Sequence, residues 1–271
     1  MPRSAASTQG RRRGGSVGTQ TLGRGLEVLR AFRCEARPLG NRTIAERTGL
    51  PKSTVSRITS TLVSLGYLHR VPALGYYQLG TGVLGIGNAY LETSEIRREA
   101  ISLMERFATR NGVSAGLAVG DGTDIMYVAW CRSPKTLTLR LSAGSRLPIA
   151  RTAVGKAYLW ALPQLERREA IAQIKQEEGA RARAVMDRID AAFEDLDRYG
   201  YCISIAEYQK NTFGIGVPLV LDDGQTVMAL SAGGAKLDVT EVALRRNVAP
   251  ELVQTALLIR AAIAEARASE S

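Results

Sequence analysis

The sequence is poor in the residues that most often build catalytic and cross-linked sites. It holds one histidine, His69, and three cysteines, Cys34, Cys131 and Cys202, which are far apart and show no CxxC spacing. Scattered cysteines in odd number favour neither a disulfide framework nor a zinc site, so we expect reduced thiols, no metal and no cofactor. Catalysis by a Ser-His-Asp or Cys-His arrangement would depend on His69 alone, which argues against an enzyme of that class.

Long apolar stretches are also missing. No run approaches the ~20 residues that a membrane-spanning helix requires. The N-terminal region carries the basic run Arg11 to Arg13 instead of the apolar core of a signal peptide. Hydrophobic residues make up 45% and charged residues 23% of the 271 positions, which is typical of a folded globular chain. We therefore expect a cytoplasmic protein with no membrane partner.

The net charge of +10 is concentrated in the first third of the chain. Residues 1–92 contain 13 Lys and Arg against 4 Asp and Glu, whereas the remaining residues contain 23 against 22. A basic segment joined to a near-neutral body is typical of a polyanion-binding domain, because neutralising phosphates releases counterions. A basic solubilising tail explains part of the excess, since residues 1–24 contribute five arginines and no acid. The fold of residues 25–92 must decide between the two interpretations.

Residues 1–19 predict a flexible basic arm, because they are rich in Gly, Ser, Thr and Arg and have almost no large apolar side chain. A helical pattern begins at Thr21, with Leu22, Leu26 and Leu29 at the i, i+4 and i+7 positions of one apolar face. A second helix is predicted over residues 42–48. Gly49 then supplies the left-handed conformation that a sharp turn needs.

The next predicted helix, over residues 51–65, has two unlike faces. One stripe is apolar and consists of Val55, Ile58, Leu62 and Leu65. The opposite face is small, hydroxylated and basic, with Ser53, Ser56, Arg57 and Ser60, and with Lys52 near its start. Exposed helix faces usually carry Glu, Lys and Gln, so this composition needs another reason. Insertion into a DNA groove provides one.

Two strand-like segments, residues 67–71 and 76–79, flank a turn and predict a hairpin. Helix, helix, sharp turn, helix and hairpin over residues 20–80 predict a winged helix-turn-helix domain, whose third helix enters the major groove of duplex DNA. We therefore expect the hairpin to lie along the DNA backbone, although a solvated wing-tip role for His69 is an equal alternative. The predicted DNA-binding residues are Arg24, Lys52, Ser53, Thr54, Ser56, Arg57, His69 and Arg70.

The rest of the chain predicts a second domain. Residues 81–94 have helical spacing and predict a linker helix, while residues 95–271 mix long helices with short strands. Strands are predicted over residues 114–119, 125–130, 137–142, 202–206, 214–221 and 226–232, and a closing helix over 239–267. Long helices beside hairpin-like strands indicate an α+β fold.

One motif suggests a different class of protein. Gly80, Gly82 and Gly85 match GxGxxG, the dinucleotide-binding pattern, and would make the chain an NAD-dependent enzyme. The preceding segment is a polar hairpin arm and not the buried parallel strand that such a site needs. With 27 glycines in the chain, a chance match is the better explanation. Glu207 has no second carboxylate or metal ligand near it in the sequence, so we interpret it as structural or ligand-facing.

Four stretches carry a resemblance to a known family. They are residues 22–29 (LGRGLEVL), residues 44–55 (IAERTGLPKSTV), residues 147–157 with the run TAVGKA, and Gly200-Tyr201 followed by Ser204 and Glu207. In this order and spacing they resemble the IclR family of bacterial transcriptional regulators over about residues 20–265. The chain departs from the family pattern at Asn41, where an apolar residue is usual, and at Gly214, where Cys, Ser or Ala is usual.

The resemblance implies a GAF-like effector-binding domain, whose antiparallel sheet cups a small ligand, and homodimers or tetramers. Position by position, it implies an effector pocket of Thr138, Ala153, Val154, Ser204, Thr212, Gly214, Ser231 and Gly233. A helix N-terminus suits a carboxylate, so we expect a small organic acid, with aromatic acids among the candidates. The alternative from the residues alone is that these small side chains only pack helix against sheet. The expected function is an effector-responsive regulator that binds a pseudo-palindromic operator as an oligomer, and not an enzyme.

Overall fold

The computed structural model describes residues 17–33, 37–133, 141–221, 224–235 and 240–270. The chain divides into two compact units, Met1–Tyr90 and Leu91–Ser271. The predicted α+β fold is confirmed, with a winged helix-turn-helix ahead of a domain built on an antiparallel sheet. Within the described ranges, no helix has both the length and the apolar character needed to cross a bilayer.

Three helices and a hairpin form the first unit. They are α1 (Val17–Arg30), α2 (Asn41–Thr48), α3 (Lys52–Ser64), β1 (Leu68–Val71) and β2 (Tyr76–Leu79). The two strands pair antiparallel, and Leu39 adds a single bridge to Tyr77. Gly49 ends α2 with a φ of 67°, which gives the predicted sharp turn before α3. The helix α4 (Thr81–Thr93), which the sequence predicted as a linker, follows the hairpin.

The core of the first unit is small and apolar. Its buried residues are Val28, Ala31, Phe32, Leu39, Ile44, Val55, Ile58, Leu62 and Leu68. Each helix contributes one stripe, because apolar residues spaced three and four apart share a helix face. Full burial of each large side chain stabilises the fold by ~1.5–3 kcal/mol.

Three leucines that were predicted to face this core are exposed instead. Leu22, Leu26 and Leu65 are 66%, 50% and 62% exposed. The helix α1 begins at Val17, inside the segment predicted as an arm, and it contacts the core mainly through its last turns and the residues just after them. Apolar spacing shows which side chains share a face, but it does not show whether another element lies opposite that face. Residues 1–16 of the predicted arm lie outside the described residues.

The second unit consists of helices on both faces of one sheet. In chain order its elements are α5 (Glu95–Asn111), β3 (Ser114–Asp121), β4 (Asp124–Cys131), β5 (Arg146–Pro148), α6 (Ala153–Ala161), α7 (Gln164–Glu178), α8 (Ala182–Tyr199), β6 (Cys202–Ile205), β7 (Thr212–Leu221), β8 (Thr226–Ala235), α9 (Glu241–Ala243) and α10 (Ala249–Glu270). A π-helical segment, Leu244–Val248, separates α9 from α10. The predicted closing helix is therefore interrupted near its start.

The six-stranded sheet has the order β5-β4-β3-β8-β7-β6, and every described neighbour pair is antiparallel. Helices α5 and α10 bury apolar residues such as Phe107 and Leu252 against one face. Helix α6 packs on the other face, where Ala153 and Leu159 are buried. This arrangement leaves the start of α6 directly above the strands that carry most of the predicted effector residues.

One predicted strand differs from the structure. Residues 137–140 of the expected strand 137–142 lie outside the described residues, and Leu141 and Ser142 are not in a strand. The strand that pairs with β4 at this edge is β5, which the sequence pattern did not predict. Three residues are too few to show an alternation of apolar and polar side chains.

Candidate functional site

The outward face of α3 is polar and basic, as its pattern predicts. Its exposed residues are Lys52, Ser53, Ser56, Arg57 and Ser60, and Thr54 is half-buried. On the opposite side, Val55 is 0% and Ile58 is 7% exposed. The hydrophobic stripe fixes the rotation of α3 about its own axis, so the serines and basic residues face solvent.

The hairpin carries two more of the predicted DNA-binding residues. His69 and Arg70 are exposed on β1, while the adjacent Leu68 is buried in the core. Arg24 is exposed as well, but it lies in the middle of α1. The sequence placed it at the helix start, which is wrong because α1 begins at Val17.

Gly80, just before α4, and Gly82, in the first turn of α4, have a packing role. A Cβ on Gly80 would lie 2.3 Å from the carbonyl oxygen of Gly66, and a Cβ on Gly82 would lie 3.1 Å from the same atom. The N–H of Gly80 donates to the carbonyl oxygen of Tyr67 at 2.8 Å. The strand before this segment belongs to a two-stranded antiparallel sheet, whereas a dinucleotide loop follows a parallel strand. Close backbone approach therefore explains Gly80 and Gly82, whereas a Cβ on Gly85 would meet nothing within 4 Å.

A pocket in the second unit lies between the start of α6 and strands β6, β7 and β8. It is a narrow cavity of about 50 Å³. Seven of the eight predicted effector residues line it: Ala153, Val154, Ser204, Thr212, Gly214, Ser231 and Gly233. The eighth, Thr138, lies outside the described residues.

The first turn of α6 supplies hydrogen-bond donors at the pocket. Thr152 caps the helix, because its Oγ1 accepts from the N–H of Gly155 at 3.2 Å. The N–H groups of Ala153 and Val154 precede that bond and have no acceptor within the helix. Both residues line the pocket. The helix end also carries a partial positive charge, so this part of the pocket favours an anion such as a carboxylate.

Two aromatic residues that sequence reasoning missed, Tyr127 and Trp130, form a wall of the pocket. Their rings meet edge to face with centroids 4.9 Å apart. They are three residues apart, so a regular strand would place them on opposite faces. A bulge in β4, opposite the Leu117–Ala118 step of β3, puts them on the same side. Nothing in the sequence pattern signals that bulge.

The polar atoms of the two rings differ in their bonding. The hydroxyls of Tyr127 and Ser231 lie 3.1 Å apart and share a hydrogen bond. Burial raises the pKa of Tyr127 to about 12, so its hydroxyl is neutral at physiological pH. In contrast, Nε1 of Trp130 is buried and has no hydrogen-bond partner in the described structure.

A buried ion pair supports the loop between β6 and β7. Lys156 is 1% exposed, and its Nζ donates to both carboxylate oxygens of Glu207 at 2.8 and 2.7 Å. Arg188 adds a weaker contact, 3.8 Å from the same carboxylate. Glu207 also lines the pocket, so a structural and a ligand-facing role both remain predictions for it.

A second ion pair lies at the pocket. Arg151 lines the pocket and donates three hydrogen bonds to Glu178, at 3.1, 2.9 and 2.8 Å. These bonds hold the pKa of the Glu178 carboxyl below its usual value. The arginine is 35% exposed, so water screens this pair more than it screens Lys156 and Glu207.

Two of the three cysteines are described, and both are free and buried. Burial raises the pKa of the Cys202 thiol to about 12 and that of Cys131 to about 11, so both stay protonated and poorly nucleophilic. Cys34 lies outside the described residues. In the described parts of the chain, no cluster of three His, Cys, Asp or Glu residues has a metal-binding arrangement.

Comparison with known proteins identifies both units. The family profile for the IclR helix-turn-helix domain matches residues 21–72, and the profile for the bacterial transcriptional regulator IclR C-terminal domain matches residues 88–261. The HTH-type transcriptional regulator TsaQ1/TsaQ2 of Comamonas testosteroni is 32% identical over 91% of this chain and 89% of its own length.

Solved structures agree. An IclR family transcriptional regulator from Brucella abortus is 35% identical with a TM-score of 0.86, covering 95% of this chain and 96% of that one. An IclR homologue from Microbacterium hydrocarbonoxydans, complexed with 4-hydroxybenzoate, has a TM-score of 0.69 over 90% of this chain and 99% of that one. At 21% identity, the second likeness shows the shared fold alone.

Because the matches extend through the helix-turn-helix unit and the sheet domain alike, the chain belongs to the IclR family of bacterial transcriptional regulators, with a DNA-binding domain and an effector-binding domain.

Proposed function

We propose that this regulator binds a pseudo-palindromic operator as a homodimer or a tetramer of two dimers, and that a small organic acid controls its binding. Residues 20–80 would read DNA, residues 81–94 would link the domains, and residues 95–271 would bind the effector and join the copies. The proposal rests on one observation above all, that the basic, hydroxylated face of α3 is exposed while its apolar stripe is buried.

The proposed roles of the DNA-binding residues follow from their positions. Ser53, Ser56 and Arg57 lie on the outer face of α3 and would reach base edges in the major groove. The remaining residues would hold phosphates, which position the protein without reading sequence. They are Arg24, Lys52, Thr54, His69 and Arg70.

Pairing of copies is proposed because one short recognition helix reads only a few base pairs, and two heads related by a twofold axis multiply specificity. The first unit has an apolar groove suited to such pairing. It is lined by Leu22, Leu26, Leu29, Leu62, Leu65, Tyr67 and Ile86, together with small and polar neighbours. Exposed apolar patches of this kind mark protein contacts, and DNA phosphates would not cover them. The occupant that fits the twofold operator is the same groove of a second copy.

The pairing proposal predicts the behaviour of a Leu26→Glu variant. A carboxylate in the groove should lower operator affinity roughly 10-fold or more, because the two heads, although still joined through residues 95–271, would no longer be held in the arrangement that contacts both half-sites. Footprinting of the wild type should show two protected half-sites, and Leu26→Glu should weaken both. Leu165→Glu on α7 is the matched control, since it adds the same charge at a leucine 70% exposed and outside the groove. Equal operator affinity for both variants would refute pairing of the heads through this groove.

An organic acid is the proposed effector because the pocket contains the first turn of α6, whose N–H groups have no acceptor within the helix. The 4-hydroxybenzoate bound by the Microbacterium homologue is consistent with this class. To regulate DNA binding, the acid must bind two arrangements of the protein with different affinity. We propose that the linker helix carries that difference to the DNA-binding domain.

Calorimetry with a panel of acids tests the effector proposal. We expect at least one of pyruvate, succinate, benzoate and 4-hydroxybenzoate to release or absorb heat on binding and to change operator affinity. Benzamide, which has no carboxylate, is the control for binding by ring contact alone. If no acid in the panel gives a heat of binding or changes operator affinity, the proposal of an acid effector is contradicted.

A further inference from the structure

Two glycines on the same face of β7, Gly214 and Gly216, differ in what a side chain would meet. A Cβ on Gly216 would lie 2.2 Å from the carbonyl oxygen of Ala153, so glycine is needed there for α6 to pack against the sheet. A Cβ on Gly214 would meet only the Cβ of Ala153, at 3.9 Å. Gly214 is also not among the glycines with positive φ. Neither backbone conformation nor packing requires glycine at position 214.

The open space at Gly214 extends along the sheet. Gly214 pairs with Ser204 on β6 and with Gly233 on β8. Residues paired directly across neighbouring strands point to the same face, so these three form a floor of backbone and one short hydroxyl group. All three line the pocket below the first turn of α6. We call this surface the glycine floor.

A flat floor favours a planar ligand over a branched one. An aromatic ring lying on it would contact the backbone at ~3.5–4 Å between carbon atoms along its whole face. The edges of Tyr127 and Trp130 would complete the enclosure, in the edge-to-face manner that aromatic groups favour. The N–H groups at the start of α6 would be donors for oxygen atoms attached to the ring.

We propose that Gly214 is a specificity-determining residue, and that the effector is a planar aromatic carboxylate whose ring lies on the glycine floor. This inference rests on the proposed acid effector and narrows its class. The absence of a side chain at Gly214 admits the ring, and the start of α6 receives the carboxylate.

The test compares full-length wild type with a Gly214→Val variant by calorimetry, using benzoate, 4-hydroxybenzoate and pyruvate as probes. Wild type should bind at least one of the two aromatic acids. The variant should bind that acid roughly 10-fold or more weakly, because the valine side chain occupies the place of the ring. The affinity for pyruvate, which does not need the floor, should change by less than about 3-fold on the same scale.

Thermal unfolding separates loss of binding from loss of folding. Gly214→Val should unfold at or above the wild-type temperature, because valine favours strands and nothing in the structure crowds its Cβ. Gly216→Ala is the matched contrast and should unfold at a lower temperature, because its Cβ meets the backbone of α6.

Each alternative result has a definite meaning. Equal affinity of wild type and Gly214→Val for the aromatic acids would overturn the role of Gly214. If the wild type binds pyruvate but neither aromatic acid, the proposal of an aromatic effector is wrong, whereas the proposal of an acid effector is still supported. If none of the three probes binds, this inference is wrong. The proposed acid effector is contradicted only if none of the acids in the wider panel binds either.

Discussion

Replacing Glu207 with alanine is expected to lower the free energy of unfolding by about 3 kcal/mol, the lower end of the ~3–5 kcal/mol range for breaking a buried ion pair. The variant would leave the ammonium group of Lys156, which is 1% exposed, without its carboxylate partner. The lower end applies because the Glu207 side chain is 15% exposed, so water can enter the space it leaves. Urea unfolding followed by tryptophan fluorescence measures the effect, since Trp130 and Trp160 both lie in the second unit.

Two controls identify burial of the charge as the cause. A double variant, Lys156→Met with Glu207→Gln, should lose less stability than Glu207→Ala alone, because it leaves no charge buried. Glu178→Ala removes a carboxylate from the more exposed Arg151, and its cost should stay near ~1 kcal/mol. If Glu207→Ala and Glu178→Ala lowered the free energy of unfolding by the same amount, burial of the Lys156 charge would not be the cause of the effect.

Replacing Arg57 with alanine is expected to relax sequence preference at one operator position by ~1–3 kcal/mol, because a bidentate contact to a guanine edge would be lost. Arg70→Ala should instead weaken binding to all sequences alike and reduce the salt dependence by about one charge. Both residues are exposed, on α3 and β1 respectively. Binding to a library of single-base operator variants at two salt concentrations measures both effects.

Arg57 also borders the apolar groove. The oligomeric mass of the Arg57→Ala variant must therefore be compared with that of the wild type. Arg98→Ala on α5 removes one positive charge from the second unit and should change neither preference nor affinity. If Arg57→Ala and Arg70→Ala reduced specific and random DNA binding by the same factor, the division between base and phosphate contacts would be wrong.

The DNA-binding domain was largely predictable because its elements depend on local rules. Gly49 adopts the left-handed conformation that its place between α2 and α3 predicts, and the apolar stripe of α3 is buried up to Leu62. Leu26 and Leu65 obey the same spacing but lie exposed on the groove. Helical period places residues on one face, whereas burial depends on what the rest of the structure, or a second copy, puts against that face.

The pocket shows the same division. Seven of its residues came from the family resemblance, which fixes positions along the chain. Tyr127 and Trp130 were missed because a bulge, which has no signature in the local pattern, brings them to one face. The partnership of Lys156 and Glu207 was also invisible, since 51 residues separate two side chains that meet across α6 and the β6–β7 loop.

By itself, the sequence determined the fold class, the family and the chemical character of the exposed face of α3, because these follow from periodicity, turn residues and short motifs. Only the tertiary structure decided which glycine leaves space and which one merely permits packing, which leucines stay uncovered, and which buried charge has a partner. These properties depend on atoms brought within a few ångströms of one another by strands and helices far apart in the chain, and local sequence does not encode such distances.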